Sequence, residues 1–315
     1  MKIVIPGGSG HVGTLLARAL TSGGGHDVVV LSRKPRASPW RSVEWDGKTV
    51  GEWSNEIDGA DVVINMAGRS VNCRYTPAHR AEIMDSRVQS TRAVGTAIAR
   101  SKKPPRVWLQ ASTAAIYAHR YDAPNDEATG IIGGSEPNAP ETWRFSIDVV
   151  RAWEAALNEA VVPSTRKVAL RSAVIMSPED GGPFAKLMQL VSRGLGGRAA
   201  DGRQYVSWIH DSDFVRALLW IIAHDKLAGV INVSSPNPLP QEDFMRALRK
   251  AAGARVALPA LRWMLEIGAA VMRTETELIL KSRRVVPGRL LESGFVFKYP
   301  NWPDAALDLV RRRPH

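Results

Sequence analysis

The feature that most constrains this chain is the run Gly7-Gly8-Ser9-Gly10-His11-Val12-Gly13, which follows directly on the apolar segment Lys2-Ile3-Val4-Ile5. Two spacings overlap in it. Gly7, Gly10 and Gly13 give GxxGxxG, while Gly8, Gly10 and Gly13 give GxGxxG. Glycines permit a tight turn and let backbone approach a pyrophosphate, which then sits at a helix N-terminus with free N–H groups. A glycine run alone marks only a flexible turn. One that leaves a strand and opens a helix, here from about Val12 to Thr21, has the context of a dinucleotide site. All seven residues are expected at the cofactor, with His11 shaping the pyrophosphate pocket rather than performing acid–base work.

The end of the second strand distinguishes the dinucleotides. An NAD site usually carries an Asp or Glu there for the ribose 2′-hydroxyl. This sequence has Ser32-Arg33-Lys34, with Arg36 close behind. A carboxylate repels a 2′-phosphate, whereas a guanidinium hydrogen-bonds it in fork geometry. The expected cofactor is therefore NADP(H), with Ser32, Arg33 and Lys34 at its adenosine end. The plain alternative is that Arg33 and Lys34 are solvated loop charges.

Short β-branched runs alternate with helical patterns through the first two-thirds of the chain. Strands are expected at Lys2 to Ile5, Val28 to Leu31, Ala60 to Met66, Val107 to Ala111 and Lys167 to Ile175. Helices are expected over about Pro77 to Ser101 and Phe145 to Ala160. Continuous Val/Ile runs separated by helices imply an α/β fold, a doubly wound parallel (Rossmann) sheet covered on both faces. From Pro236 onward the pattern is mainly helical, punctuated by prolines. The expected organisation is a cofactor domain over 1–175, to which 206–235 returns, and a smaller C-terminal lobe from 176–205 and 236–315.

Composition excludes more than it assigns. The chain of 315 residues carries 42 Lys+Arg against 31 Asp+Glu, a net charge of +11, but the basic residues are dispersed. Dispersed charge describes a solvated surface, so nucleic acid is not an expected partner. The single cysteine, Cys73, rules out an internal disulfide framework and suits a reducing compartment. No His/Asp/Glu cluster has zinc-ligand spacing, so no metal is expected. Met1 to Pro6 has no basic leader, and the apolar stretch Leu258 to Met272 is broken by Arg262 and Glu266. It also falls short of the roughly 20 residues a bilayer requires. A cytoplasmic location without membrane contact is expected, with oligomeric state open.

Further motifs carry a resemblance. Asn65-Met66-Ala67-Gly68 follows the strand before the long helix, and Ser86-Arg87-Val88 with Thr91 lies within that helix. Ala111-Ser112-Thr113-Ala114-Ala115-Ile116-Tyr117 ends the next strand, and Trp153-Glu154 follows on the next helix. Later come Gln204, Ser207-Trp208-Ile209-His210 and Asp213, then Arg283 to Leu290, Gly294 to Phe297 and Tyr299-Pro300. Over its whole length the chain resembles the extended short-chain dehydrogenase/reductases, and within them an atypical epimerase-like family with its own C-terminal segment. The resemblance implies a cofactor turn at Asn65, Met66, Ala67 and Gly68, and adds Ser112 and Arg171 to the cofactor residues. It also places a catalytic Ser/Thr at Thr113.

The same resemblance exposes a gap. Superfamily members typically use a Tyr and a Lys four residues later, the Lys helping the phenol exchange a proton as hydride moves. None of the five tyrosines is followed by a Lys at that spacing. The helix from Phe145 to Glu154, which should carry the pair, has neither residue. Thr113 and Tyr117 are the catalytic candidates left, each with a plain alternative: a strand-end capping hydroxyl and a packed aromatic. His210 is a cleft-lining candidate or a packed histidine. Arg69 and Arg74 are either substrate contacts or solvated. The expected function is an NADP(H)-binding oxidoreductase or epimerase-like enzyme acting on a small carbonyl or hydroxyl compound. The alternative is a non-catalytic NADP(H)-binding sensor or interaction protein.

Overall fold

A computed structural model of the protein describes residues 1–137, 139–260 and 280–313. Most of the apolar stretch Leu258 to Met272 therefore lies outside the described residues. Seven parallel strands form the main sheet: β1 (Lys2–Pro6), β2 (Asp27–Ser32), β3 (Arg41–Glu44), β4 (Val62–Asn65), β5 (Val107–Thr113), β6 (Arg166–Ser172) and β10 (Gly229–Val233). Their order is β10-β6-β5-β4-β1-β2-β3. The order reverses at β1, which lies between β4 and β2. Ligands of open α/β sheets gather in the crevice above such a switch point.

Alternation within the strands builds two apolar layers. Ile3, Ile5, Val28, Val30, Ile64, Leu109 and Leu170 face one side, with Leu16 and Leu20 of α1 (His11–Gly24) and Phe214 and Leu218 of α5 (Asp211–Ala223). Val4, Val29, Leu31, Val63, Trp108 and Ala169 face the other. There they meet Val94, Ala97 and Ile98 of α2 (Pro77–Arg100) and Leu157 of α3 (Glu141–Glu159). Strands buried on both faces read as the continuous apolar runs seen in the sequence. Each fully buried Val, Leu or Ile contributes about 1.5–3 kcal/mol. Local signals set the helix ends. Thr76 caps α2 by accepting from the His79 N–H, with Pro77 at the first helical position, and α1 stops at Gly25 in the left-handed region.

The expected strand from Lys167 to Ile175 is two strands. β6 ends at Ser172, and β7 (Val174–Met176) leaves the sheet to pair with β9 (Trp208–His210). Helices α4 (Pro183–Ser192) and α6 (Gln241–Ala251), with the C-terminal helix Trp302–Arg311, surround a separate cluster of Phe184, Met188, Phe244, Leu248, Trp302 and Leu309. The described part of 236–315 is divided between that cluster and the sheet. Leu290 of the short helix Gly288–Glu292, with Phe295 and Phe297, packs into the sheet's own apolar layer beside Ile231. Among the described residues no helix is long and apolar enough to cross a membrane.

Candidate cofactor and substrate site

The glycine loop joins β1 to α1 at the switch point, and its glycines are not equivalent. Gly7 has φ +73°, and a Cβ there would stand 2.5 Å from the Ala67 Cα. A Cβ at Gly8 would press on Val30 at 2.8 Å, and one at Gly13 would meet the Gly8 Cα at 2.4 Å. These three close the loop against the protein itself. Gly10 differs: a Cβ there would make only an ordinary contact, 3.5 Å from the Gly7 carbonyl. It is exposed, extended at φ −75° and ψ 170°, and supplies no side-chain cap to α1, whose first turn holds no acidic residue. The helix end is thus open and electropositive, suited to a phosphate oxyanion. His11 begins the helix. Its Nε2 is buried with no hydrogen-bond partner among the described residues, where a Cβ on Gly182 would lie 2.5 Å away.

Neighbouring elements complete a cradle. Ser32, buried at the end of β2, donates from Oγ to Ser9 Oγ at 3.0 Å and accepts from the Lys34 N–H at 3.2 Å. The side chains of Arg33 and Lys34 are exposed and make no ion pair among the described residues. After β4, Asn65 accepts from the Ala67 N–H at 3.1 Å and donates to Gln110 Oε1 at 3.0 Å. That pins the turn Asn65, Met66, Ala67 and Gly68 against Gly7. These residues fit a dinucleotide phosphate with a charge to spare at the β2 end.

A cavity of about 240 Å³ opens beyond the end of β5. Ser112, Thr113 and Ala115 form its floor, and Phe145, Ser146, Val149, Val150 and Trp153 of α3 one wall. Tyr75, Ile83 and Arg87 close it from the α2 side, with Arg283 from the C-terminal segment. Thr113 Oγ1 accepts the Ala115 N–H at 3.2 Å, which caps the turn after β5 and leaves the hydroxyl at the cavity. Trp153 Nε1 donates to Thr91 Oγ1 at 3.1 Å, and the Arg87 guanidinium lies 5.0 Å from the Trp153 ring centre. Ser86 Oγ accepts the Arg69 N–H at 2.9 Å and fixes the loop beyond Gly68. The signatures on α2 and α3 therefore meet in one wall.

Below this wall a polar network runs through the sheet edge. Glu154 pairs with Arg171 in a two-pronged contact, Nε to Oε1 at 2.9 Å and Nη2 to Oε2 at 2.7 Å, and accepts from Ser112 Oγ at 2.6 Å. Arg171 Nη1 donates to Tyr117 Oη at 3.1 Å, and that phenol donates to Asn232 Oδ1 at 2.9 Å. Burial works against the Arg171 charge, but the bonds and charge of Glu154 outweigh it and hold its pKa above the ordinary value. Burial likewise pushes the Tyr117 pKa up, opposed by Arg171. Tyr117 is 1% exposed and its hydroxyl is fully engaged. It serves as a packed aromatic in this network, the plain alternative given for it above. Ser112 is likewise engaged by Glu154, and Arg171 by Glu154 and Tyr117 together.

His210 is also closed off. It is 1% exposed, stacks on Tyr299, and bonds Asp308 Oδ2 at 3.0 Å and Ser212 Oγ at 2.8 Å. It anchors the C-terminal helix rather than lining a cleft. Arg69 pairs with Glu82 at 2.5 Å, and Cys73 receives a bond from Arg69 Nη1 at 3.1 Å. Asp148 and Arg151 are exposed on α3. Among the described residues no group of three His, Cys, Asp or Glu side chains could hold a metal ion.

Comparison with known proteins accounts for this combination of loop, turn and helix pair. The family model described as the NAD dependent epimerase/dehydratase family matches residues 3–234. The chain belongs to this family. A second model, a domain of unknown function (DUF1731), matches residues 262–309. Epimerase family protein SERP0438 of Staphylococcus epidermidis is 31% identical over 312 residues, covering 98% of this chain and 99% of its own. The crystal structure of human epimerase family protein SDR39U1 (isoform 2) with NADPH superposes with a TM-score of 0.85 at 27% identity, over 99% of this chain and all of that one. UDP-N-acetylglucosamine 4-epimerase from Bacillus cereus shares the fold, with a TM-score of 0.75 at 16% identity over 99% of this chain and 98% of its own.

In this epimerase/dehydratase family member the seven loop residues from Gly7 to Gly13, the β2 end and the Asn65 turn come together at the switch point. Ser112 and Thr113 lie two strands away from β1, at the cavity. The sequence reading missed Arg87 and Arg283 as cavity residues. Ser86-Arg87-Val88 was visible as a motif, but only the fold shows that Arg87 faces a cavity while Ser86 holds a loop.

Proposed function

We propose that the protein binds NADP(H) across the glycine loop and acts as an oxidoreductase or epimerase-like enzyme on a small carbonyl or hydroxyl compound in the cavity beside Thr113. The observation that carries the cofactor half is the uncapped α1 terminus at Gly10 together with Arg33 and Lys34 at the end of β2, exposed and without an ion pair among the described residues. The NADPH in the SDR39U1 crystal structure supports the same reading. First-turn N–H groups of α1 would hold the pyrophosphate, and Arg33 with Lys34 the 2′-phosphate. A bound nicotinamide supplies hydride chemistry; the chain supplies position and charge.

On this reading the chain works without a Tyr–Lys pair. The α3 residues at the cavity are Phe145, Ser146, Val149, Val150 and Trp153, none of which is a Tyr or a Lys. Thr113 orients the substrate oxygen from the cavity floor, beside the largely apolar wall of α3. The proton then comes from substrate or solvent, so positioning supplies most of the rate. The missing pair also favours a second reading, a non-catalytic NADP(H) sensor. That reading requires NADPH bound tightly but left unoxidised by any carbonyl compound. A single cysteine, half-buried as Cys73, accords with a cytoplasmic location for either.

Titration of cofactor fluorescence tests the assignment. NADPH is expected to bind at least roughly tenfold more tightly than NADH, the scale of one charge-assisted hydrogen-bonded contact. Arg33→Ala combined with Lys34→Ala is expected to remove that preference while leaving NADH affinity unchanged. A preference that survives the double substitution contradicts the 2′-phosphate assignment.

A further inference from the structure

We propose that Arg87 is an anion receptor, whose guanidinium in the cavity wall takes a carboxylate or phosphate oxyanion from a bound ligand. The proposal deepens the preceding reading and rests on it for the reaction, though not for the anion itself.

Two arginines differ in what answers their charge, Arg171 buried and Arg87 half-buried. Arg171 has a carboxylate of its own, Glu154, at 2.7 Å. Arg87 has none among the described residues. Its Nη1 donates to the Ile83 carbonyl at 3.0 Å, and its guanidinium lies over Trp153. One of the guanidinium's five donors is thus used by the protein. The nearby acids are committed elsewhere or face solvent: Glu82 pairs with Arg69, Glu154 with Arg171, and Asp85 is exposed. No cavity-lining residue is acidic, while Arg87 and Arg283 are both basic. A cation withdrawn from water without a counter-charge is costly and calls for an anion.

The surroundings keep room for that anion. A Cβ at Gly68 would stand 3.3 Å from the Arg87 Cζ, so the glycine leaves the guanidinium's flank open beside the Asn65 turn. The Trp153 ring lies against the same guanidinium. Desolvation pulls the Arg87 pKa down to about 10, only partly opposed by Tyr75, so the group remains cationic at neutral pH. Thr113 opens onto the same cavity, which allows an anionic ligand to be held by Arg87 while its reacting oxygen meets Thr113. Two sources share this chemistry: an acidic group on the substrate, or a phosphate of the cofactor.

Malonate and inorganic phosphate, titrated against chloride controls of equal ionic strength, serve as probes. Binding is read by tryptophan fluorescence and calorimetry on the full chain, with and without saturating NADPH. The cofactor-free arm reads the anion even if NADPH fails to bind, so failure of the cofactor reading is separable. Wild type is expected to bind at least one probe, Arg87→Gln to weaken it at least tenfold, and Arg87→Lys to weaken it less. The thermal midpoint of Arg87→Gln is expected to stay level or rise, because an uncompensated charge has been removed. Unchanged NADPH affinity in Arg87→Gln, with malonate still bound by NADPH-loaded wild type, assigns the oxyanion to the substrate. At least tenfold weaker NADPH binding in Arg87→Gln, with NADPH displacing the probe from wild type, assigns it to the cofactor. The proposal is overturned if wild type binds neither probe and Arg87→Gln leaves NADPH affinity intact. It is also overturned if Arg87→Gln lowers the thermal midpoint without altering any affinity, which would make Arg87 a structural wedge against Trp153.

Discussion

The glycine loop and the cavity beside Thr113 occupy the same edge of one sheet but are built on different principles. In the loop, backbone meets backbone: Gly7, Gly8 and Gly13 sit where any Cβ would collide, and Gly10 alone leaves space outward. At the cavity, side chains meet side chains: Trp153 on Thr91, Glu154 on Arg171, Tyr117 on Asn232. Backbone crowding admits one residue type and leaves a fixed sequence pattern. A side-chain network admits many solutions, so the familiar proton-transfer pair can be absent while the architecture stands. The loop accordingly follows a fixed pattern, whereas the α3 wall of the cavity offers neither a Tyr nor a Lys.

Substitutions can break that comparison at several levels. The largest effect is expected at Glu154→Gln, which leaves Arg171 charged and enclosed without its carboxylate, the two side chains being only 11% and 12% exposed. Breaking such a pair from one side costs about 3–5 kcal/mol. Chemical denaturation should read this directly, and a loss far smaller than that means the network is not structural. Gly13→Ala should cost about 1–3 kcal/mol through overpacking against Gly8. Gly10→Ala should stay within about 0.5 kcal/mol of wild type in stability. It should nevertheless weaken NADPH binding, because the added methyl intrudes where the pyrophosphate belongs. Equal destabilisation by the two alanines would erase the distinction between loop-closing and ligand-facing glycines.

The sequence made some of this readable for clear reasons. β1, β2 and β4 are buried on both faces, and continuous Val/Ile runs announce that. β3 was missed because Arg41–Glu44 is a short edge strand without an apolar run. The division after Ser172 was invisible because no glycine or proline interrupts Lys167 to Ile175, and only pairing of Val174 with Trp208 draws the last residues away. That Leu290, Phe295 and Phe297 join the sheet's apolar layer was not legible, since a late position in the chain says nothing about which layer a segment joins. Glu154, Arg171 and Tyr117 lie far apart in sequence, so their mutual engagement, and the loss of Tyr117 as a free acid, needed the fold. Arg87 sat in a recognised motif without a role until its missing counter-charge became visible.

If NADPH binds as proposed, cradle and cavity form one continuous site. A crystal structure of the NADPH complex tests this most directly. The account predicts the pyrophosphate at the first turn of α1, the 2′-phosphate on Arg33 and Lys34, and the nicotinamide in the cavity beside Thr113. A nicotinamide lodged away from that cavity, or a 2′-phosphate clear of both basic side chains, would contradict it.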